Sequence, residues 1–144
     1  PMLPRLRETV CEANLELAAR RLVIYSWGNV SAIDRDSGTI AIKPSGVDYD
    51  DLTAADIVLV DLHSGKVIWG DLRPSSDTPT HVALYRAFPS IGGVAHTHSP
   101  SATALTPPIN SGARTTCGRK RVSKCASSCR SSCAICSLFN GKAD

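Results

Sequence analysis

The stretch DTPTHVALYRAFPSIGGVAHTH, residues 77–98, is the most informative part of this 144-residue chain. Its apolar run ends in two histidines, His96 and His98, which are separated by one residue. On a β-strand alternate side chains share a face, so the two imidazoles would project together. Two imidazoles on one face form half of a site for a divalent transition metal such as Zn²⁺. Asp77 can fold back from the preceding turn and supply an oxygen ligand.

Four blocks of sequence, one of which contains this pair, follow one another along the chain. They read SWGNVS at residues 26–31, KPSGVDY at 43–49, PSSDTPTH at 74–81 and FPSIGGVAHTHS at 88–99. Taken alone, the histidine pair fits two half-exposed strand residues equally well. Together, the four blocks resemble the L-ribulose-5-phosphate 4-epimerases of the class II aldolase/epimerase superfamily, and the resemblance stops at about residue 104.

The resemblance implies the interconversion of L-ribulose 5-phosphate and D-xylulose 5-phosphate, a reaction that both L-arabinose catabolism and ascorbate-type pentose routes use. The C–H bond at the inverted stereocentre is not next to the carbonyl, so simple deprotonation cannot epimerise it. Retro-aldol cleavage followed by re-formation of the bond on the other aldehyde face can do so. A Zn²⁺ cofactor would act as a Lewis acid and stabilise the enediolate that cleavage leaves.

The resemblance also assigns residues of this chain to the site. It makes Asp77, His96 and His98 the metal ligands. It makes the following residues contacts of the substrate and its phosphate: Gly28, Asn29, Ser45, Gly46, Ser75 and Ser76. Related aldolases carry glutamate at the position of Asp77, so the shorter acid favours an epimerase. A class II sugar-phosphate aldolase is the first alternative.

The family takes a further metal-binding histidine, an acid/base aspartate and a tyrosine from later in its chain. Here no histidine follows His98, no tyrosine follows Tyr85, and the only aspartate after Asp77 is Asp144. No catalytic acid/base residue is therefore assigned. We expect this chain to bind metal weakly and to show little or no epimerase activity.

The hydrophobic pattern predicts a layered α+β fold, an α/β/α arrangement with a mainly antiparallel central sheet. The resemblance implies that this is a class II aldolase-like domain, incomplete at the C-terminus. Apolar residues at helical spacing mark an amphipathic first helix: Leu3, Leu6, Val10, Ala13 and Leu17. Residues 22–25 are predicted as a buried strand, and hairpins are predicted around residues 34–38 and 63–65. Thr53 is predicted to cap a helical turn and Thr78 to cap a helix over residues 79–87, before a strand over residues 90–98. We interpret His63 as a solvated turn residue and His81 as structural or solvent-facing.

The composition changes after residue 104. Five of the six cysteines and most of the excess positive charge fall in the last part of the chain. We therefore divide the chain into a core at residues 1–104 and a basic, Cys- and Ser-rich tail at residues 105–144, either disordered or produced by a reading-frame shift. A non-catalytic metal- or nucleic-acid-binding module built on this tail is the second alternative, although paired Cys-x-x-Cys knuckles and interleaved aromatic residues are absent from the sequence.

Partners and location follow from the same sequence. No export leader and no run long enough to cross a membrane are found, so we expect a cytoplasmic protein with no membrane partner. The net charge of +3 is small, so it does not indicate a nucleic-acid partner. The expected partner is a small sugar phosphate. The resemblance implies a homotetramer, although loss of the later core would weaken that assembly.

Overall fold

A five-stranded antiparallel sheet organises the protein. The computed structural model describes residues 2–98. In chain order the elements are α1 (Pro4–Ala19), β1 (Asn29–Asp34), β2 (Thr39–Ile42), a 3-10 turn (Tyr49–Asp51), β3 (Val58–Asp61), β4 (Val67–Trp69), α2 (Thr78–Ala87) and β5 (Gly93–His96). The sheet order is β4-β3-β2-β1-β5, and every neighbouring pair is antiparallel. The predicted antiparallel sheet and both predicted hairpins are therefore confirmed.

One apolar cluster lies on each face of the sheet, because successive strand residues point to opposite sides. Ile40 and Ile42 of β2 pack with Val82 and Tyr85 of α2, in the first cluster. Ala41, between those two isoleucines, belongs to a second cluster that contains residues of α1 and β3. A helix on each side of one sheet is the layered α/β/α arrangement that the sequence predicts. No helix in residues 2–98 is long and apolar enough to cross a membrane.

A buried asparagine fixes α1 to the strand that carries the site. Asn14 is fully buried, and its Nδ2 donates to the carbonyl oxygens of Val10, at 2.7 Å, and Val30, at 3.0 Å. The Val30 N–H donates back to Asn14 Oδ1 at 2.8 Å. Val10 and Leu17 are buried as predicted. The buried polar residues on the same helix face, Asn14 and Arg7, were not predicted.

An arginine of the first hairpin holds the connection between α2 and β5. The Arg35 guanidinium donates to the carbonyl oxygens of Tyr85 at 3.0 Å, Phe88 at 3.0 Å and Ile91 at 2.8 Å. These carbonyls belong to the last turn of α2 and the loop that follows, where helical carbonyls lack partners within the helix. Arg35 therefore fixes the point from which β5 runs towards His96.

The predicted strand at residues 22–25 is wrong. Leu22, Ile24 and Tyr25 are 40%, 37% and 82% exposed, and Arg21 and Tyr25 have positive φ angles of 56° and 54°. Both hydrogen-bonding edges of β1 are taken by β2 and β5, so an extended segment before β1 has no free edge of that strand to join.

Two predicted helix caps also differ from the structure. Thr53 begins no helix; its N–H and hydroxyl both donate to Asp56 Oδ2, at 2.9 and 2.6 Å, and close a turn. Asp77, not Thr78, is the N-cap residue of α2, and it makes no side-chain capping bond. The Thr78 hydroxyl instead donates to the Ser75 carbonyl at 2.6 Å. The Asp77 carboxylate makes no capping bond and is therefore available for contacts in the site.

Candidate functional site

The pairing of β1 with β5 places Asn29 directly opposite His96. Asp77, at the start of α2, reaches both residues. Its Oδ2 accepts hydrogen bonds from Asn29 Nδ2 and from His96 Nδ1, each at 2.8 Å. Because a carboxylate only accepts, Nδ1 of His96 carries the proton in this arrangement. Three elements that are distant in sequence therefore meet at one carboxylate oxygen.

The two histidines of the His-x-His pair lie side by side, as predicted. The ring centroids of His96 and His98 are 4.7 Å apart, and the planes are inclined by 43°. Trp27, 60% exposed, meets the His98 ring edge-on at 5.9 Å. Both imidazoles are partly buried, so they line a shallow surface next to the indole.

The ionisable groups here are shifted in the direction that suits metal binding. Burial alone would raise the pKa of Asp77, but hydrogen bonds from His96 and Asn29, with the charges of His96 and His81, bring it below the usual value. Burial lowers the pKa of His98, and a neighbouring charge on His96 adds to this, against an opposing effect of Asp77. A carboxylate beside a neutral imidazole is the protonation state that metal coordination requires.

The side chains of Asp77, His96 and His98 are of the types that bind a divalent metal, although in this structure they are not arranged around a single point. Within residues 2–98, no group of three or more His, Cys, Asp or Glu side chains has metal-holding geometry. Asp77 and His96 instead bond to each other at 2.8 Å. Tetrahedral Zn²⁺ with ligand bonds of about 2.0–2.1 Å separates adjacent donors by about 3.3 Å. An opening of about 0.5 Å, with loss of the shared proton, would fit this pair to an ion.

The predicted phosphate-binding residues lie on two neighbouring loops. The Ser75 N–H donates to the Lys43 carbonyl at 3.1 Å, and the Ser45 N–H donates to the Arg73 carbonyl at 2.8 Å. The segments at residues 43–45 and 73–75 thus run side by side. Ser45, Gly46 and Ser76 are exposed along them. Gly28 and Asn29 join this region through the bond from Asn29 Nδ2 to Ser75 Oγ, at 3.0 Å.

Several of the expected donors are already used within the protein. Both Nδ2 protons of Asn29 go to Ser75 and Asp77, and the Ser45 N–H goes to Arg73. In contrast, Asn29 Oδ1 is buried with no hydrogen-bond partner in the described part of the chain. Asn29 as placed orients Asp77 and cannot also donate to a phosphate, and the Ser75 hydroxyl donates to Asp77 Oδ2 at 3.5 Å. The exposed hydroxyls of Ser45 and Ser76 are therefore the donors best suited to that anion.

A groove of about 500 Å³ borders the same serines. Ser75 and Ser76 line it together with Arg73 and Arg86. The Arg86 guanidinium is held by the carbonyls of Leu62, at 2.9 Å, and His63. The two guanidinium groups make this side of the serine loop electropositive, which favours an approaching anion.

Gly28 is at its position for a steric reason. Its φ angle is +88°, and a Cβ added there would lie 2.6 Å from Val23 Cγ1 and 2.9 Å from the His96 carbonyl oxygen. Only glycine allows this close approach of backbone to backbone next to the imidazole pair. Gly46, with a φ angle of +75°, meets no atom within 4 Å of such a Cβ.

Three polar residues near the site are buried, and the sequence did not predict that they lie beside it. Lys43, Tyr49 and His81 are only 1%, 7% and 1% exposed. His81 Nδ1 lies 2.7 Å from Ser31 Oγ, so the structural interpretation of His81 is confirmed and the solvent-facing one is wrong. His63 is exposed in its turn, as predicted. A lysine or tyrosine inside a turn motif carries no periodic signal, so hydrophobic patterning could not find the other two.

Comparisons with known proteins agree with the fold. Residues 8–125 match the family model described as the class II aldolase and adducin N-terminal domain. An L-fuculose 1-phosphate aldolase structure is similar, with a TM-score of 0.66 and 31% identity over 70% of this chain and 47% of that one. YgbL from Klebsiella pneumoniae, a candidate aldolase, epimerase or decarboxylase, has a TM-score of 0.63 and 33% identity over 70% of this chain and 47% of its own.

YgbL from Escherichia coli gives a TM-score of 0.65 and 30% identity, covering 73% of this chain and 49% of its own. The chain therefore spans about half the length of the solved structures that it matches. The boundary at residue 104 and the predicted tail lie outside the described residues. The family model covers most of the chain, and the chain belongs to the class II aldolase and adducin N-terminal domain family.

Proposed function

We propose that this chain supplies the metal- and phosphate-binding half of a sugar-phosphate epimerase site that acts by retro-aldol and aldol steps on L-ribulose 5-phosphate. One observation supports the proposal most directly. Asp77 Oδ2 lies 2.8 Å from His96 Nδ1, and the ring centroids of His96 and His98 are 4.7 Å apart. Two imidazoles and a carboxylate are borderline ligands typical of Zn²⁺.

Asp77, His96 and His98 would hold the Zn²⁺ ion, which supplies Lewis-acid stabilisation of the negative charge that carbon–carbon bond cleavage leaves on the sugar. The protein's own task is to keep these ligands deprotonated and oriented. Asn29 does this for Asp77 by donating to the carboxylate from the neighbouring strand. Its buried, unpartnered Oδ1 is an acceptor that a substrate hydroxyl could satisfy.

The phosphate of the substrate would lie against the hydroxyls of Ser45, Ser75 and Ser76. The exposure of the Ser45–Gly46 turn and of Ser76 supports this assignment, because these groups are open to a ligand. The arginines of the adjoining groove, Arg73 and Arg86, add positive potential on the same side. A sugar without phosphate should therefore bind much less tightly.

A class II sugar-phosphate aldolase is the second candidate, favoured by the 31% identity to an L-fuculose 1-phosphate aldolase. The carboxylate distinguishes the two candidates. A side chain as short as that of Asp77 leaves more room beside the imidazoles than glutamate would. That room would let the cleaved aldehyde rotate and re-add, which an epimerase requires and an aldolase does not. We assign assembly into a homo-oligomer and a cytoplasmic location to the same proposal.

Metal binding by the purified chain is the first test. Titration with Zn²⁺ should show one site, and Asp77→Ala or His96→Ala should weaken it at least tenfold. His63→Ala, in an exposed turn, is the matched control and should bind as the parent does. Equal affinity in all four proteins would refute the metal site.

Product analysis is the second test. Incubated with Zn²⁺ and L-ribulose 5-phosphate, the chain should form D-xylulose 5-phosphate slowly, because no histidine follows His98 and no tyrosine follows Tyr85. With L-fuculose 1-phosphate, release of free aldehyde would identify an aldolase instead. Sedimentation of the same sample gives the oligomeric mass.

A further inference from the structure

The two proposed histidine ligands are held in different ways. His96 is the last residue of β5, its backbone is paired with Asn29, and its Nδ1 is 2.8 Å from Asp77 Oδ2. His98 lies just beyond the end of β5, and within residues 2–98 its imidazole makes no hydrogen bond. A histidine that binds a metal usually has a further contact that fixes the orientation of its ring. For His98, the groups that can do this are the neighbouring aromatic rings.

An indole contacts the His98 imidazole. The ring centroids of Trp27 and His98 are 5.9 Å apart, and the ring planes are inclined by 62°. This is the edge-to-face arrangement that aromatic pairs prefer. The His96 ring, with its centroid at 4.7 Å, is the other neighbour and is itself fixed by Asp77. The His98 imidazole therefore lies against one fixed ring and against the indole.

The backbone of Trp27 is fixed on both sides. Its N–H donates to the Ile24 carbonyl at 3.0 Å, and its carbonyl accepts a hydrogen bond from the Tyr49 hydroxyl at 3.3 Å. The side chain is nevertheless 60% exposed. An indole left mostly in water contributes little of the stabilisation that burial of apolar surface gives. Packing in the core therefore does not account for this side chain, whose ring contacts are with His98 and Tyr25.

We propose that Trp27 is a positioning residue that holds the His98 imidazole in the orientation required for metal binding. The inference rests on the proposed function, because it takes His98 to be a ligand. A side chain that is ordered before its ligand arrives loses less conformational entropy on binding, so affinity is higher. The indole has an N–H donor and no atom suited to coordinate Zn²⁺. We therefore expect its effect to reach the ion through His98.

A double-mutant cycle tests this route. Calorimetry on the full chain would give the Zn²⁺ Kd of the parent, Trp27→Ala, His98→Ala and the double variant. Trp27→Ala should weaken Zn²⁺ binding about threefold to tenfold, as expected for the loss of one aromatic pair. In the His98→Ala background, the same substitution should change the Kd less than about twofold, because no imidazole is left to orient. Trp27→Phe keeps an aromatic ring and should recover most of the affinity.

Tyr25→Ala is the matched control. Tyr25 belongs to the same loop, is 82% exposed, and contacts the indole with ring centroids 6.0 Å apart. Among the described residues it contacts neither imidazole of the pair. Its removal should therefore leave the Zn²⁺ Kd within about twofold of the parent value. Urea unfolding would confirm that each variant is folded.

The fluorescence of Trp27 provides a second measurement. The chain has two tryptophans, and Trp69 lies on β4, at the opposite edge of the sheet from β5. Trp69→Phe therefore leaves Trp27 as the only tryptophan. Co²⁺, which quenches a nearby indole, should decrease its emission. Excess Zn²⁺, which displaces Co²⁺ and does not quench, should restore it. If Trp27→Ala does not fold, this measurement decides.

The outcomes separate the inference from the proposed function. If the parent binds no Zn²⁺, or binds it no more tightly than His98→Ala does, the proposed metal site fails and the inference falls with it. If His98→Ala binds more weakly while Trp27→Ala binds as the parent does, only the inference is overturned. A loss that persists in the His98→Ala background, or Trp27 emission that Co²⁺ does not change, would also overturn it.

Discussion

His81 should make the stability of this protein depend on pH in a window where exposed carboxylates have little effect. It is 1% exposed, it lies on α2, and its Nδ1 is 2.7 Å from Ser31 Oγ. Burial lowers the pKa of His81 from 6.5 to about 4, partly opposed by the charge of Asp77 and reinforced by that of His96. The folded protein therefore keeps this imidazole neutral where an unfolded chain would protonate it.

The magnitude follows from the two pKa values. A tenfold change in a protonation equilibrium corresponds to about 1.4 kcal/mol, so lowering the pKa of His81 from 6.5 to about 4 amounts to about 3 kcal/mol. Between these pH values the unfolded chain binds the proton and the folded one does not. The free energy of unfolding is therefore fully present above pH 6.5 and falls as the pH decreases, by about 3 kcal/mol at pH 4.

Urea unfolding of metal-free protein at several pH values would measure this loss. His81→Asn keeps a polar group near the position of Nδ1, so the bond to Ser31 can persist, and it removes the titration. The free energy difference between parent and variant should shrink by about 3 kcal/mol from pH 7 to pH 4. A parallel pH dependence in the two proteins would refute the assignment. Asp77 does not confuse the result, because its pKa is lowered and its contribution is lost only below its ordinary value of 3.8.

Three further substitutions test the contacts that build the site. Gly28→Ala should destabilise the protein by about 2–3 kcal/mol in urea, because the new Cβ clashes at a positive φ, whereas Gly38→Ala, in open space, should cost no more than about 1 kcal/mol. Asn14→Ala should cost about 2–3 kcal/mol, measured as a lower urea midpoint, because three backbone groups of Val10 and Val30 lose a side-chain hydrogen bond. Arg35→Ala should lower the thermal midpoint and speed amide exchange in β5 more than in β3, and equal changes in both strands would contradict its role at the end of α2.

The sheet could be predicted because its strands carry short-range signals. The hairpin between β1 and β2 has a glycine in its turn, and both strands are rich in β-branched residues. The His-x-His spacing predicted two imidazoles side by side, and their rings are adjacent, although β5 ends at His96 and His98 lies just beyond it. These features depend on residues that are close in sequence, so local periodicity is sufficient to find them.

The remaining features depend on contacts between distant residues. The run at residues 22–25 has the composition of a strand, yet β1 has no edge left for it. Asn14 is buried and Arg35 is exposed, but the roles of both are explained only by the backbone groups that they reach, 16 and 50 or more positions away. Lys43 resembles a surface lysine until the inward carbonyls of its turn are known. Sequence patterns that reflect polarity alone cannot supply this information.

The geometry at Asp77 is determined by contacts within residues 2–98. Asn14 fixes the start of β1, β1 places Asn29 opposite His96, and Asn29 holds the carboxylate of Asp77. Arg35 independently fixes how β5 leaves α2. Two separate sets of contacts therefore constrain the distance between Asp77 and His96, the pair that would have to open for an ion.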